Sequence, residues 1–144
     1  MKVKDLIDGV SENYIDKISE LTGLDKDTIL NVQIKTKNTI VSKFLKPFIS
    51  IVDGEGVTIS KNTIVFVKEF KLNSSFLSLL CHELTHIAQM RRIGTIKFPF
   101  KYMKEYLENT KHYPTIEDAY RNISYEKEAY ANQKAFVEYC YRWI

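Results

Sequence analysis

The chain has 144 residues, of which 44% are hydrophobic and 12% aromatic, and its formal net charge is +3. This composition suits one globular domain over 1–144 and excludes a disordered chain, and the scattered Lys and Arg residues predict no nucleic-acid partner. No apolar run is long enough for a signal peptide or a membrane span, so we expect a cytoplasmic protein. Two alternatives stay open: export by a route that needs no cleaved signal, and association with a particle.

The first half of the chain predicts two short helices and then strands. A Ser N-cap and helical spacing of apolar residues predict a helix over 11–24 that closes at Gly23, and a second helix begins at Asp25. Residues 31–37 and 48–52 have the alternating or β-branched apolar pattern of strands. Residues 57–67 predict a hairpin around Lys61 and Asn62.

From residue 74 the apolar period becomes helical. Ser74 or Ser75 is expected to cap a helix that runs to about residue 92, and Gly94 ends it. A further helix is predicted after Pro99, then a polar loop, KHYPT (111–115), and a last helix over about 124–143. The order of helix, small sheet and three helices predicts an α+β fold.

The segment LLCHELTHIAQM (79–90) contains His82, Glu83 and His86 in the pattern HExxH. Because residues i and i+4 share a helix face, both imidazoles can bind one zinc ion. Glu83 lies close enough to take a proton from a zinc-bound water, which predicts hydrolysis of a peptide bond. Five residues can match this pattern by chance, so a third ligand is needed to support the site.

The third ligand is expected to be a carboxylate. Position 92 is an arginine, which argues against the pattern HExxHxxGxxH. The last helix offers Glu126 and Glu128, which lie about 200° apart, so at most one of them faces the core. The small residues around Glu128 favour it as the ligand, with Glu126 as a solvated surface charge. Cys81 is expected to point away from the histidine face.

Other polar residues are weaker candidates for roles at the site. Asn132, one turn beyond Glu128, is expected to accept a hydrogen bond from a ligating histidine. The donor to the oxyanion of the transition state is left open among several tyrosines and one histidine, with Tyr130 and His112 as the named candidates.

Two segments carry a family resemblance over about residues 64–136. LLCHELTHIAQM resembles the HELTHxxQ helix of small HExxH proteins associated with bacterial contractile injection systems. The segment YMKEYLEN…AYRNISYEKEAYA resembles the aromatic segment and the EKEAxA helix of the same group. The layout is also similar, more distantly, to the HExxH…ExEAN pattern of ImmA/IrrE-type regulatory peptidases.

The resemblance implies a zincin-like, minigluzincin fold, in which a small twisted sheet of three or four strands packs on the HExxH helix and on a Glu-bearing C-terminal helix. It implies that one Zn²⁺ per chain is held by His82, His86 and Glu128, with Glu83 as the base. It also implies an edge strand beside the substrate cleft, formed by Thr63, Ile64, Val65, Phe66 and Val67. Asn132 stands where the family often has an acid.

The sequence therefore predicts a zinc metalloendopeptidase that acts on a peptide or protein substrate. The alternative is a non-catalytic or narrowly specific regulatory zinc-binding module associated with a phage or injection-system particle. A peptidase with one physiological target is a third hypothesis. The sequence does not predict the substrate or the oligomeric state.

Overall fold

The computed structural model describes residues 1–36, 56–66 and 71–142. These residues form the predicted α+β arrangement, with seven helices and a three-stranded mixed sheet. In chain order the elements are α1 (Val3–Leu6), α2 (Glu12–Thr22), α3 (Lys26–Asn31), β1 (Gln33–Thr36), β2 (Gly56–Ser60), β3 (Thr63–Phe66), α4 (Ser74–Ile93), α5 (Lys97–Thr110), α6 (Ile116–Arg121) and α7 (Ser124–Arg142).

The sheet places β3 between the other two described strands. β1 pairs with β3 in parallel and β2 pairs with β3 antiparallel, which gives the order β1-β3-β2. β2 and β3 form the predicted hairpin, with Lys61 and Asn62 in its turn. The prediction that residues 63–67 form an edge strand is wrong for β3, because β3 is paired with β1 on one side and with β2 on the other. Val67 and the predicted strand 48–52 lie outside the described residues.

The ends of the first helices follow from their capping residues. The side chain of Ser11 accepts a hydrogen bond from the backbone of α2, as predicted, and Gly23 ends that helix with a φ of +78°. Asp25 caps α3 by accepting from the backbone N–H of Thr28 at 2.6 Å. These caps satisfy backbone groups that the helices themselves leave unpaired.

The predicted HExxH helix is α4, but its N-cap differs from the prediction. The cap is Asn73, not Ser74 or Ser75, because its side chain accepts a hydrogen bond from the N–H of Phe76 at 2.9 Å. Gly94 ends the helix, as predicted, with a φ of +119°. α4 is buried around most of its circumference, since it packs against β2, α2, α5 and α7.

The helices after α4 differ from the prediction in two places. α5 begins at Lys97, and Pro99 lies in its first turn, where the missing N–H costs little. The loop 111–115 is followed by α6, a short helix that the sequence analysis did not predict and that Thr115 caps. α7 follows the predicted course, and Trp143 lies outside the described residues.

The largest group of buried apolar side chains lies between the sheet, α2, α4 and α7. It includes Ile18, Ile64, Leu84 and Phe136, which are all fully buried. A smaller aromatic cluster joins α5, α6 and α7. α4 therefore lies at the centre of the fold, where the polar residues between its first and last turns are shielded from water. None of the described helices is both long and apolar enough to cross a membrane.

Candidate metal centre

Two histidines of α4 and one glutamate of α7 meet inside the protein. The Nε2 atoms of His82 and His86 lie 3.2 Å apart. His82 Nε2 is 3.1 Å from Oε2 of Glu126, and His86 Nε2 is 3.1 Å from Oε1 of the same carboxylate. All three side chains are buried, and together they could hold a metal ion. The helix spacing of α4 brings the imidazoles together, and α7 supplies the carboxylate.

The carboxylate in this group belongs to Glu126, so the prediction of Glu128 is corrected. Glu126 is 2% exposed, whereas the side chain of Glu128 is 42% exposed. The buried face of α7 carries Glu126, Ala129, Phe136 and Cys140. Glu128 is turned about 200° away from Glu126. The prediction gave weight to the small residues around Glu128, but of these Ala131 is exposed, whereas Ala129, Phe136 and Cys140 are buried together with Glu126.

Glu128 instead holds a side-chain amide next to the site. Gln89 Nε2 donates to Glu128 Oε2 at 3.0 Å and to the carbonyl oxygen of Tyr125 at 2.9 Å. Because both acceptors fix the amide nitrogen, Gln89 Oε1 faces His86 and lies 2.9 Å from its Nδ1. Arg92 lies 3.4 Å from the same Glu128 oxygen. Gln89 is the last residue of the HELTHxxQ pattern, one turn after His86, but this role was not predicted for it.

The partner of His82 is on α7. Gln133 Oε1 lies 3.0 Å from His82 Nδ1. Asn132, predicted for this role, donates instead to the hydroxyl of Thr85 at 3.0 Å, so that prediction is wrong. The reason is the helix period: Gln133 comes two turns after Glu126 and lies on nearly the same face, whereas Asn132 is turned away by about 100° from Gln133.

The glutamines bond the Nδ1 side of each histidine, and the Nε2 sides face the Glu126 carboxylate. When each Nδ1 donates to a glutamine oxygen, each neutral histidine presents an unprotonated Nε2. Oε2 of Glu126 is buried and has no hydrogen-bond donor, although it is 3.1 Å from His82. In this tautomer neither atom of the short contact carries a proton, so a cation, either a proton or a metal ion, is needed between them.

The spacing of the ligand atoms is close to that expected around zinc. Nitrogen and oxygen ligands lie about 2.0–2.2 Å from zinc, and tetrahedral geometry then separates them by about 3.3–3.6 Å. The two Nε2 atoms lie 3.2 Å apart, and each lies 3.1 Å from a different oxygen of the Glu126 carboxylate, which is slightly closer than around a bound ion. Two imidazoles and one carboxylate are also a donor set that zinc commonly takes. The residues therefore fit the ion that the sequence predicts.

The charges of the group influence one another. Burial alone lowers the pKa of His86, but the charge of Glu126 and its hydrogen bond outweigh burial and raise this pKa to about 9. Burial alone raises the pKa of Glu126, but His86 and the contacts with both histidines hold it far below its usual range. Glu126 is therefore ionised, and a proton on an imidazole competes with a metal ion for the same carboxylate.

Tyrosines surround the group. The hydroxyl of Tyr102, on α5, donates to Glu126 Oε1 at 2.7 Å. Burial, and then the charge of Glu126, raise the pKa of Tyr102, so the phenol stays protonated and can donate. Of the two residues named from the sequence, Tyr130 packs its ring 4.6 Å from the ring of His82. His112 is exposed in the loop after α5 and is not brought to the group.

Glu83 is buried and is held against β2. The hydroxyl of Thr58 lies 3.0 Å from Oε2 of Glu83 and 3.0 Å from its carbonyl oxygen. The strand approaches closely because Gly56 has no side chain. A Cβ there would lie 3.3 Å from Cγ of Glu83 and 2.9 Å from the ring of Phe66. β2, and not β3, is thus the strand that borders the site.

A cavity of about 230 Å³ adjoins the metal-binding group. Glu83, His86 and Glu126 are part of its lining, so the predicted base and two of the candidate ligands face the same space. The other lining residues come from β2, from the end of α4, from α5 and its preceding turn, and from α6: Gly56, Val57, Thr58, Ile59, Met90, Thr95, Phe98, Pro99, Tyr102 and Tyr120.

The described residues thus bring together the predicted histidines, the predicted base and an unpredicted carboxylate around one cavity. In comparisons with protein-family models, with curated proteins and with solved structures, nothing matched this chain. The function is therefore inferred from the chemistry and the geometry of this group.

Proposed function

We propose that the protein is a zinc-dependent metallopeptidase of the gluzincin type. The observation that supports this most strongly is that two imidazole nitrogens and the Glu126 carboxylate converge beside a second buried carboxylate, that of Glu83. Catalytic zinc sites have three protein ligands and one open position, and in the HExxH pattern the Glu is the general base. A structural site would use a fourth protein ligand instead.

His82, His86 and Glu126 would hold the zinc ion. When bound, zinc polarises a substrate carbonyl and makes water more acidic. Gln89 and Gln133 keep the two imidazoles in the tautomer that presents Nε2 to the ion, because each glutamine oxygen accepts from Nδ1. The ligands are thus oriented before the metal binds.

Glu83 acts as the general base in this proposal. It faces the same cavity as His86 and Glu126, so a water molecule in the cavity can reach it. Its carboxylate takes a proton from the attacking water and passes the proton to the amine that leaves. Thr58 contacts Oε2 of Glu83, which favours Oε1 as the oxygen that carries the proton.

Tyr120 is the proposed donor to the negatively charged oxygen of the transition state. It lines the cavity, and burial, followed by the charge of Glu126, raises its pKa, so its hydroxyl stays protonated. The hydroxyl of Tyr102 already donates to the charged Glu126, whereas the Tyr120 hydroxyl bonds the neutral hydroxyl of Tyr130, a partner that a negatively charged oxygen can replace. Tyr120→Phe is expected to lower kcat by about 100-fold and to leave zinc binding unchanged. An unchanged kcat would contradict this role.

Metal analysis and proteolysis test the main proposal together. The purified protein should bind one zinc ion per chain, and His82→Ala should lose it. Glu83→Gln should keep the zinc and lower the rate of cleavage by about 100-fold or more, because it removes the base without removing a ligand. Glu138→Gln, which makes the same change at an exposed position of α7, is the matched control.

Two outcomes would contradict the proposal in different ways. Protein that purifies without zinc, and that cannot be loaded with it, would exclude a zinc enzyme. Protein that holds zinc but produces no cleavage in a proteome-wide screen would favour a non-catalytic zinc-binding module.

A further inference from the structure

We propose that the outer side of α5 binds the surface of an anionic lipid membrane. The inference rests neither on the proposed peptidase function nor on a bound metal ion. It starts from the large apolar and aromatic side chains that the fold leaves in water. Eight of them are exposed among the described residues, and five of these eight lie between residues 96 and 116: Ile96, Phe100, Leu107, Tyr113 and Ile116.

Three of these residues form a stripe along α5. Residues four apart on a helix differ in direction by about 40°, and residues seven apart by about 20°, so Ile96, Phe100 and Leu107 share one side of the helix. They are 75%, 74% and 54% exposed. Phe98 and Tyr106 are buried and lie on the opposite side. One side of α5 therefore packs on the protein, and the other presents bulky apolar side chains to its surroundings.

A stripe of lysines runs beside the apolar stripe. Lys97, Lys101 and Lys104 have the same helical spacing and are all exposed. Within the described parts of the chain, no carboxylate forms an ion pair with any of the three. Glu108, an acid on the same side, lies 3.5 Å from Lys111. The ammonium groups of the lysine stripe are therefore available to an anionic partner.

The positive charge of the protein is concentrated in this region, although basic residues occur throughout the chain. Residues 91–111 contain six Lys or Arg and two Glu, a net charge of +4. The whole chain has a net charge of +3, so the remainder carries −1. A negatively charged surface is therefore expected to attract the protein by the side that displays α5.

The combination of the two stripes favours a membrane over other anionic partners. In a basic amphipathic helix that lies on a membrane, the apolar side chains enter the acyl boundary and the lysines reach the lipid head groups. A nucleic acid would bind the lysines but leave the apolar stripe in water. Protein interfaces are enriched in arginine and depleted in lysine, whereas all the cations on this side of α5 are lysines. A bilayer also accepts an outward stripe without a matching groove.

Sedimentation of the full-length protein with vesicles tests the proposal. Vesicles of phosphatidylcholine with about one third phosphatidylglycerol should bind it at least about tenfold more tightly than pure phosphatidylcholine, and salt should weaken the binding. The triple variant Lys97→Gln, Lys101→Gln, Lys104→Gln should bind about 100-fold more weakly, because each lysine near an anionic surface contributes about fivefold. Equal binding to both kinds of vesicle would overturn the proposal.

A second triple variant separates the position of the charges from their number. Lys4→Gln, Lys35→Gln, Lys134→Gln removes the same charge from exposed positions on α1, β1 and α7. It should retain binding to within about fivefold of the wild type. If both triple variants lose binding equally, net charge rather than α5 is responsible, and the proposal fails.

The apolar stripe is tested by Phe100→Ser, with Tyr141→Ser as the matched control. The two side chains are 74% and 72% exposed, and Tyr141 lies on α7. Phe100→Ser should weaken binding to anionic vesicles by about tenfold, because its ring no longer leaves water. Tyr141→Ser should leave binding unchanged. Equal effects of the two substitutions would contradict contact through α5.

Tryptophan fluorescence reports entry into the bilayer directly. The chain has one tryptophan, Trp143, so Phe100→Trp in a Trp143→Phe background reports on α5 alone. Its emission should shift to the blue with anionic vesicles and be quenched by brominated lipids, whereas Tyr141→Trp in the same background should not respond. Absence of a shift in bound protein would exclude insertion of the apolar stripe.

Two further outcomes would assign the outer side of α5 to another occupant. A wild-type dimer in solution that Phe100→Ser dissociates would identify this side as a contact between copies of the chain. Failure to bind anionic vesicles at low salt would exclude the membrane and favour an acidic protein. Metal-free and zinc-loaded protein should bind vesicles alike, so neither the zinc content nor the cleavage activity decides this proposal.

Discussion

At the scale of single residues, the metal centre depends on the direction in which two neighbouring glutamates point. Glu126 is buried between the histidines, and Glu128 contacts Gln89 and Arg92. We expect Glu126→Gln to lose zinc on dialysis, because an amide replaces the only carboxylate of the group. Glu128→Gln should weaken zinc binding by less than about tenfold, since its effect passes through Gln89. Chelator competition measures both affinities.

The pair also provides its own control, because the two variants make the same chemical change two positions apart. If Glu128→Gln loses zinc while Glu126→Gln retains it, the observed group is not the metal site. If both variants keep zinc, the metal must bind elsewhere in the chain.

At the scale of elements, the metal centre depends on the contact between α4 and the first turns of α7. Gln89 makes this contact, because its amide bonds Glu128 and the carbonyl of Tyr125 while its oxygen faces His86. We expect Gln89→Leu to lower zinc affinity by about 10–100-fold. Gln33→Leu, on β1, is the control of identical chemistry.

The readout for this prediction is the visible spectrum of the cobalt-substituted protein, which responds to ligand geometry and does not require turnover. A changed spectrum together with weaker binding would indicate that Gln89 orients His86. Unchanged affinity and an unchanged spectrum in Gln89→Leu would show that the histidine needs no such partner.

The elements themselves differ in how far the sequence predicts them. α4 was predictable because its apolar period and the glycine at its C-terminal end agree, although its N-cap was placed one or two residues too late, and the hairpin β2–β3 was predictable because its turn separates two apolar runs. The choice between Glu126 and Glu128 depended on which face of α7 meets α4. That face is set by tertiary packing, which buries Ala129 and Cys140 with Glu126 and leaves Ala131 exposed. Gln89 is part of the quoted HELTHxxQ pattern, but its role was not predicted, and Gln133 was missed because its distance in sequence from His82 depends on how α7 packs against α4.

At the scale of the whole molecule, a bound metal ion links α4 to α7 across the segment 87–125, which contains α5 and α6. Phe98 and Tyr102 on this segment cover the cavity and contact the group. A ligand present at 100 times its Kd stabilises the folded state by about 2.7 kcal/mol. We therefore expect a chelator to lower Tm by about 5–10 °C.

Hydrogen exchange should locate the effect of metal removal. Exchange is expected to rise mainly in α5, α6 and the start of α7, and less in α2 and the sheet, whose packing does not involve the metal ligands. Calorimetry and mass spectrometry measure the two effects on the same samples. A uniform rise in exchange, or an unchanged Tm for protein shown to have lost its zinc, would contradict this link between metal binding and the fold.

Cys81 precedes His82 in the chain, yet its sulfur lies on another side of α4, 3.8 Å from the carbonyl oxygen of Asn132. The proposed ligands are therefore nitrogen and oxygen atoms, which peroxide does not oxidise as it oxidises cysteine thiolates. An oxidising environment that strips zinc from thiolate sites is expected to leave this centre loaded. Zinc occupancy should accordingly stay constant when the protein is treated with peroxide, as measured by metal analysis before and after treatment.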